Sequence, residues 1–131
     1  MPHISVIVGA SHGAGNYGMS GRAFGTRFTF TWPTAKIAVM GPKQMAGVMS
    51  IVQRAASQRR GIEFDEEADA KRAETAEYWA EERSKGLFAT SRVSDDGMID
   101  PRDTRIIIAI TLSACHNNQV EGTKEFGTWR M

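Results

Sequence analysis

The stretch VIVGASHGAGNYGMSGRAF (residues 6–24) changes character in its middle. An apolar, β-branched run ends at Gly9, and glycines then recur at Gly13, Gly15, Gly18, Gly21 and Gly25. Glycine weakens an element interior unless the backbone needs a positive φ or a close approach. The chain has 13 glycines in 131 residues, and the local crowding between Gly9 and Gly25 marks a site rather than a general looseness.

Two readings fit the first half of that stretch. A dinucleotide loop is one: GASHGAG (residues 9–15) has the G-x-x-x-G-x-G spacing after a strand. The context then fails. The helix that would hold a pyrophosphate at its N-terminus should be long and free of glycine. Here Gly18, Gly21 and Gly25 fall there, each costing up to about 1 kcal/mol against alanine. The next strand ends in Trp32 and Pro33 instead of an acid for the ribose, and neither Tyr17 nor Tyr78 is followed by a lysine four residues on. The other reading is an oxyanion hole. Two backbone N–H groups that converge on one point need a tight turn without obstructing side chains, and each donor is worth roughly 3–4 kcal/mol to a developing oxyanion. Gly13, Ala14 and Gly15 make such a turn directly after an apolar strand.

The remaining sequence bounds the class. A chain of 131 residues supports one modest core. A net charge of +1 with no long basic run points to neither nucleic acid nor an acidic membrane surface as partner. There is no membrane-length apolar stretch and no signal peptide in the first nine residues. One cysteine, Cys115, and no zinc-like Cys/His spacing leave no metal site and indicate a reducing compartment, the cytoplasm.

Periodicity predicts a buried, parallel strand over residues 4–10. A helical start follows over residues 17–24, and a strand over residues 27–32 buries Phe28, Phe30 and Trp32 on one face. A short strand spans residues 35–41. A helix then runs from Pro42 to a stop at Gly61, with Met45, Val48, Met49, Val52 and Ala56 as a core-facing stripe. Asp65, Glu66 and Glu67 open a surface helix that closes with Arg83 and Lys85 and is capped by Gly86; Ala76, Trp79 and Ala80 give it a thin apolar face. Asp95, Asp96 and Gly97 form a turn, and Asp100 with Pro101 starts a helix, DTRIIIAITLSACHNN, that is apolar nearly all round. Such a helix needs cover on both faces, which another domain or subunit would supply.

Blocks GASHGAGNYGMSGRAF (residues 9–24), WPTAKIAVMG (32–41) and SRVSDDGMIDPRDTR (91–105), with the terminal FGTWRM, resemble consecutive blocks of the carboxyltransferase β subunit of biotin-dependent acyl-CoA carboxylases. The likeness covers almost the whole chain, weakest over residues 54–85. It is nearest the 3-methylcrotonyl-CoA branch through Asn16, Tyr17, Gly18, Met19 and Gly21, Arg22, Ala23. The resemblance implies an α/β, crotonase-like (ClpP/crotonase) fold of β-β-α superhelical turns. Residues 1–131 would be the latter, C-terminal part of a carboxyltransferase domain, with the acyl-CoA half-site on an absent N-terminal domain and completed across a dimer interface.

It also implies a reaction. Carboxybiotin, carried by a biotin carboxylase/biotin carrier α subunit, releases CO2; its N1′ takes the acyl-CoA proton, and the enolate attacks CO2. Backbone N–H groups of Ala14 and Gly15, set by Gly13, would stabilise the biotin ureido oxygen. His12, Asn16 and Tyr17 would line the biotin and acyl pocket, His12 as a lining or packing group rather than a base, and Asn16 and Tyr17 as lining or structural groups. Arg22 either meets a CoA phosphate or forms a salt bridge that holds the turn. Ser20, the Pro42–Lys43 pair, and Cys115 to Asn118 depart from the family pattern and leave the acyl group open. Two rival readings stand beside this one: another crotonase-type hydratase or isomerase, which would need a carboxylate over the acyl carbon, and a non-catalytic assembly module contributing half a site. The chain by itself is expected to be inactive and to form oligomers.

Overall fold

The computed structural model describes residues 2–119; the terminal FGTWRM block lies outside them. The first strand, β1 (Ile4–Ile7), is followed by β2 (Ala10–His12) and the short helix α1 (Gly13–Gly18). A 3-10 turn at Arg22–Phe24 leads to β3 (Phe28–Thr31), β4 (Lys36–Ala38) and the long helix α2 (Pro42–Arg60). Helices α3 (Glu66–Ser84) and α4 (Gly86–Ser91), strand β5 (Gly97–Met98) and helix α5 (Thr104–His116) complete the order. The order β-β-α therefore occurs twice, as β1–β2–α1 and β3–β4–α2. First strands of each unit pair in parallel in the order β1-β3-β5, and second strands β2 and β4 pair in parallel in a separate sheet.

The expected strand over residues 4–10 is in fact two. The chain leaves the first sheet at Val8, whose carbonyl accepts the Thr34 hydroxyl at 2.7 Å, and Gly9 gives its carbonyl to the Lys36 amide at 3.1 Å. Ala10 then enters the second sheet opposite Lys36. An unbroken apolar run does not reveal this exchange of sheets, because both halves are β-branched or small. The helical start expected over residues 17–24 is also displaced: α1 begins at Gly13 and ends at Gly18.

β3 departs from the expected one-sided pattern. It lies between β1 and β5, and its threonine face is the more buried: Thr29 is 2% and Thr31 0% exposed, against 8% for Phe30. Phe28 and Trp32 are only half-buried. The threonine face is tolerated because Asp95 lies behind it. Asp95, itself buried, accepts the hydroxyls of Thr31 and, at 2.8 Å, Thr90. Asp96 covers the strand edge: its carboxylate accepts the Thr29 amide and its amide donates to the Thr29 carbonyl, both at 2.7 Å. The expected turn at Asp95–Gly97 thus does more than turn, since it feeds β5, which pairs Gly97 with Phe30.

Both ends of α2 and the start of α3 fall where their end signals place them. Pro42 occupies the first turn of α2, and Gly61 closes it at φ +66°, a left-handed conformation that costs glycine nothing. Asp65 caps α3 by accepting the Ala68 amide at 2.9 Å, with Glu66, Glu67 and Asp69 in the first turn. Gly86 is not the cap expected of it. It opens α4, donates to the Ala35 carbonyl at 2.8 Å, and sits so close that a Cβ would lie 3.2 Å from the carbonyl oxygens of both Ala35 and Trp32. Asp100 accepts the Arg102 amide at 2.8 Å ahead of a 3-10 turn, Pro101–Asp103, that leads into α5.

The Met45, Val48, Met49 and Val52 stripe, expected in the core, is exposed; Ala46 is the one α2 residue that is buried. Among the described residues α2 packs chiefly on α3, through contacts such as Ser50 to Asp69. On α5, Ile106 and Ile110 are 59% and 60% exposed, as expected of a helix whose cover lies elsewhere. Its tether is the Trp32 indole N–H, which donates to the Thr104 hydroxyl at 3.0 Å. Among the described residues no helix is long and apolar enough to cross a membrane.

Removing the Asp95 carboxylate leaves the Thr31 and Thr90 hydroxyls buried without their acceptor. We expect Asp95→Ala to destabilise the fold by about 2–4 kcal/mol, read from urea unfolding against the parent.

Candidate functional site

Strand β2 ends in a helix start whose first residue, Gly13, has no room for a side chain. His12 is extended (φ −121°, ψ 138°), Gly13 turns to φ +53°, and α1 begins. A Cβ on Gly13 would stand 2.9 Å from the Val39 carbonyl oxygen, so the β4–α2 connection presses directly on the turn. No side chain caps α1. The N–H groups of a helix's first turn have no partner within the helix. A left-handed residue followed by helical ones draws successive N–H groups into a concavity suited to an anion. Ala14 and Gly15 carry those N–H groups and are exposed.

Gly13, Asn16 and Tyr17 line a cleft of about 590 Å³. Its other walls come from Ile37, Ala38 and Val39 at the end of β4, from Arg22 and Ala23, and from Val93 and Ser94 after α4, with Thr29 and Ile7 also in contact. This volume is in the ordinary range of a small-molecule site. Ala14 and Gly15 are not among the residues lining the cleft.

Asn16 is held from three sides. Its amide nitrogen donates to the Ser11 hydroxyl at 2.8 Å, its carbonyl accepts the Gly21 amide at 2.8 Å, and its Oδ1 would be 1.9 Å from a Cβ on Gly21. Glycine at position 21 therefore gives Asn16 its place. Tyr17 is 53% exposed and meets Phe24 edge-on, ring centroids 5.5 Å apart. Of the two roles open for Arg22, the ion pair is present: its guanidinium lies 3.4 Å from the Asp96 carboxylate, both side chains remaining partly exposed.

His12 stands apart from these residues. It lines a separate cleft of about 330 Å³ with Lys36, Gly41, Gln44 and Glu81, and its Nε2 is buried without a hydrogen-bond partner among the described residues. There Lys36 pairs with Glu81 and, chiefly through that hydrogen bond, holds the Glu81 carboxyl below the usual carboxylate range. His12 and Gly13 are adjacent in sequence but turn to opposite clefts because the strand ends between them.

Thr29, Val93 and Ser94 were not singled out from the sequence. A threonine in a strand otherwise read as half-buried, and a valine between turn residues, carry no pattern that separates lining from packing. Among the described residues no cluster of three His, Cys, Asp or Glu is placed to hold a metal ion.

A carboxyl transferase domain model matches residues 1–128. The chain is 51% identical over 131 residues to a probable biotin-dependent acyl-coenzyme A carboxylase beta2 subunit of Mycobacterium tuberculosis, covering all of this chain and 25% of that protein. It is 44% identical over 132 residues to the mitochondrial methylcrotonoyl-CoA carboxylase beta chain of Arabidopsis thaliana, covering all of this chain and 22% of the relative. Among solved structures, the beta subunit of Pseudomonas aeruginosa geranyl-CoA carboxylase superposes with a TM-score of 0.79 at 32% identity, over 99% of this chain and 24% of that one. The chain belongs to the carboxyl transferase domain family. It spans about a quarter of the length of these relatives.

Gly13→Ala adds a Cβ against the Val39 carbonyl at a φ that L-residues avoid. The variant is expected to lose about 1–3 kcal/mol of stability, measured by chemical denaturation.

Proposed function

We propose that this chain is part of the carboxyltransferase component of a biotin-dependent acyl-CoA carboxylase, moving a carboxyl group from carboxybiotin to an acyl-CoA. Residues 1–131 form the C-terminal portion of that domain, and the fold is crotonase-like. The two successive β-β-α units in paired parallel sheets support this reading, as does membership of the family. The single observation that carries it is the Gly13 turn, left-handed at φ +53° and lining a cleft of about 590 Å³.

The cleft suits biotin: it has apolar walls from Ile37, Ala38 and Val39, and hydrogen-bonding groups at Asn16, Tyr17 and Arg22. Bound carboxybiotin would supply the carboxyl group as CO2 and, once that is released, a ureido nitrogen basic enough to take the acyl-CoA proton. The Ala14 and Gly15 amides hold negative charge on the ureido oxygen, the function that fixed donors perform without reorganising. Asn16, fixed by Ser11 and Gly21, keeps the turn in place. Tyr17 shapes the acyl side of the cleft. The described lining residues include no carboxylate, imidazole or lysine, which favours this reaction over a hydratase or isomerase that depends on a side-chain acid or base.

The exposed stripe of α2 and the uncovered faces of α5 are the surfaces against which an N-terminal carboxyltransferase domain and further copies of the subunit pack. A biotin carrier α subunit delivers the cofactor, and the acyl-CoA site is shared with the missing domain. Assembly is therefore a condition of activity, and the chain on its own is inactive. A cytoplasmic location accords with a single, unpaired Cys115.

Assembled with its partners, the protein is expected to carboxylate an acyl-CoA in the presence of biotin, bicarbonate and ATP. Replacing the Gly15 peptide N–H by an ester oxygen removes one donor and no side chain. Turnover should fall about 10²–10³-fold with KM little changed. Unaltered turnover in the ester variant would remove the oxyanion role, and an assembly inert toward acyl-CoA esters would remove the proposed reaction.

A further inference from the structure

Arg22 is the only charged residue among the described residues that line the 590 Å³ cleft. It opens the 3-10 turn that Gly25 closes at φ +69°, and Phe24 of the same turn rests edge-on against Tyr17. The turn that carries Arg22 is therefore anchored at its end and on its aromatic face.

The ion pair with Asp96 does not use up the guanidinium. One terminal nitrogen lies 3.4 Å from an Asp96 oxygen, and among the described residues the group makes no hydrogen bond. The other Asp96 oxygen accepts the Thr29 amide at 2.7 Å. Where this chain ties an arginine down, it does so differently: the Arg102 guanidinium gives two hydrogen bonds to Asp100, at 3.0 and 2.7 Å. Asp96 thus sets where Arg22 stands and leaves its fork of donors open, in a side chain 48% exposed. Such a fork matches a planar carboxylate, which takes two parallel hydrogen bonds from it.

The charge count selects the ligand. Arg22 and Asp96 together are neutral, so the pair suits a single carboxylate. A group of phosphates carries several negative charges and needs several cations. The other lining residues, among them Asn16, Tyr17, Ile37 and Val39, supply no second cation.

We propose that Arg22 binds the carboxyl group in transit, its guanidinium fork receiving the N1′-carboxylate of carboxybiotin, with Asp96 as its positioning residue. This inference rests on the proposed carboxyltransfer function and names the residue of that site that distinguishes the charged cofactor from the uncharged one. The Ala14 and Gly15 amides serve the ureido oxygen, so the two places where negative charge resides have separate partners.

The test is calorimetric titration of the assembled protein at mildly alkaline pH, where N-carboxylates persist, alongside thermal melts. The probes are biotin methyl ester, its N1′-carboxylated form and free coenzyme A. The parent should bind the carboxylated ester about 10- to 100-fold more tightly than the uncharged one, the range of one charge-assisted hydrogen bond. Arg22→Gln should lose that preference by weaker binding of the carboxylated ester alone, with affinity for the uncharged ester and for coenzyme A unchanged. Its melting point should stay close to the parent's, because a partly exposed ion pair contributes little. Arg22→Lys keeps the charge without the fork and should retain only part of the preference. An undiminished preference in Arg22→Gln, or in Arg22→Lys, overturns the inference. So does a loss of coenzyme A affinity, which would make Arg22 a phosphate contact, or an equal weakening of both esters, which would make its role structural. A parent that carboxylates acyl-CoA yet shows no preference between the esters sinks this inference and leaves the proposed function standing. A parent that binds neither ester and carboxylates no acyl-CoA removes both.

Discussion

The Asp96 carboxylate accepts the Thr29 amide, and the Asp96 amide donates to the Thr29 carbonyl, each at 2.7 Å. One residue thereby closes both hydrogen-bonding positions of the central strand just before β5 begins. Asp95 binds the Thr31 and Thr90 hydroxyls from the threonine face, so the loop after α4 is tied to β3 by side chain and main chain together. Asp96 also reaches Arg22, at 3.4 Å. Two walls of the 590 Å³ cleft, one bearing Arg22 and Ala23 and the other Val93 and Ser94, are in this way joined through a single carboxylate. The buried Asp95 carboxylate, which accepts both hydroxyls, is strong in the intact network and costly once a partner is gone.

The opposite side of the cleft depends on a steric constraint instead of a bond. Parallel pairing of β2 with β4 places His12 opposite Ala38, which brings the Val39 carbonyl onto Gly13. Only a residue without a Cβ fits there at φ +53°. Any other residue would push the turn off β4 and lose the orientation of the two amides that follow. The glycine crowding seen in the sequence thus divides into distinct duties: Gly13 for a positive φ against a carbonyl, and Gly21 for space beside Asn16.

Features written in local chemistry were legible in the sequence. Pro42, Gly61, Asp65 and Asp100 mark helix ends through their own backbone restrictions or side-chain acceptors, and the structure uses each at the expected place. The Gly13 turn was legible for the same reason. What depends on distant partners was not. The change of sheet at Val8 and Gly9 depends on Thr34 and Lys36, more than twenty residues on. β5 is two residues long, too short to show a period. The burial of Thr29 and Thr31 follows from Asp95 and Asp96, more than sixty residues away, so a period-2 reading chose the phenylalanine face. The resemblance groups His12 with the site, and in the structure it lines a separate cleft. The α2 stripe has the pattern of a core face, and among the described residues that face is left exposed.

The account as a whole requires that the exposed amides after Gly13 receive negative charge from a ligand in the adjacent cleft. The most direct measurement is a structure of the assembled protein with biotin bound. The account predicts the ureido oxygen about 2.7–3.1 Å from the amide nitrogens of Ala14 and Gly15, with the bicyclic ring in the cleft beside Asn16 and Tyr17. Biotin bound elsewhere, or those two amides turned away and bonded to protein carbonyls, would contradict it.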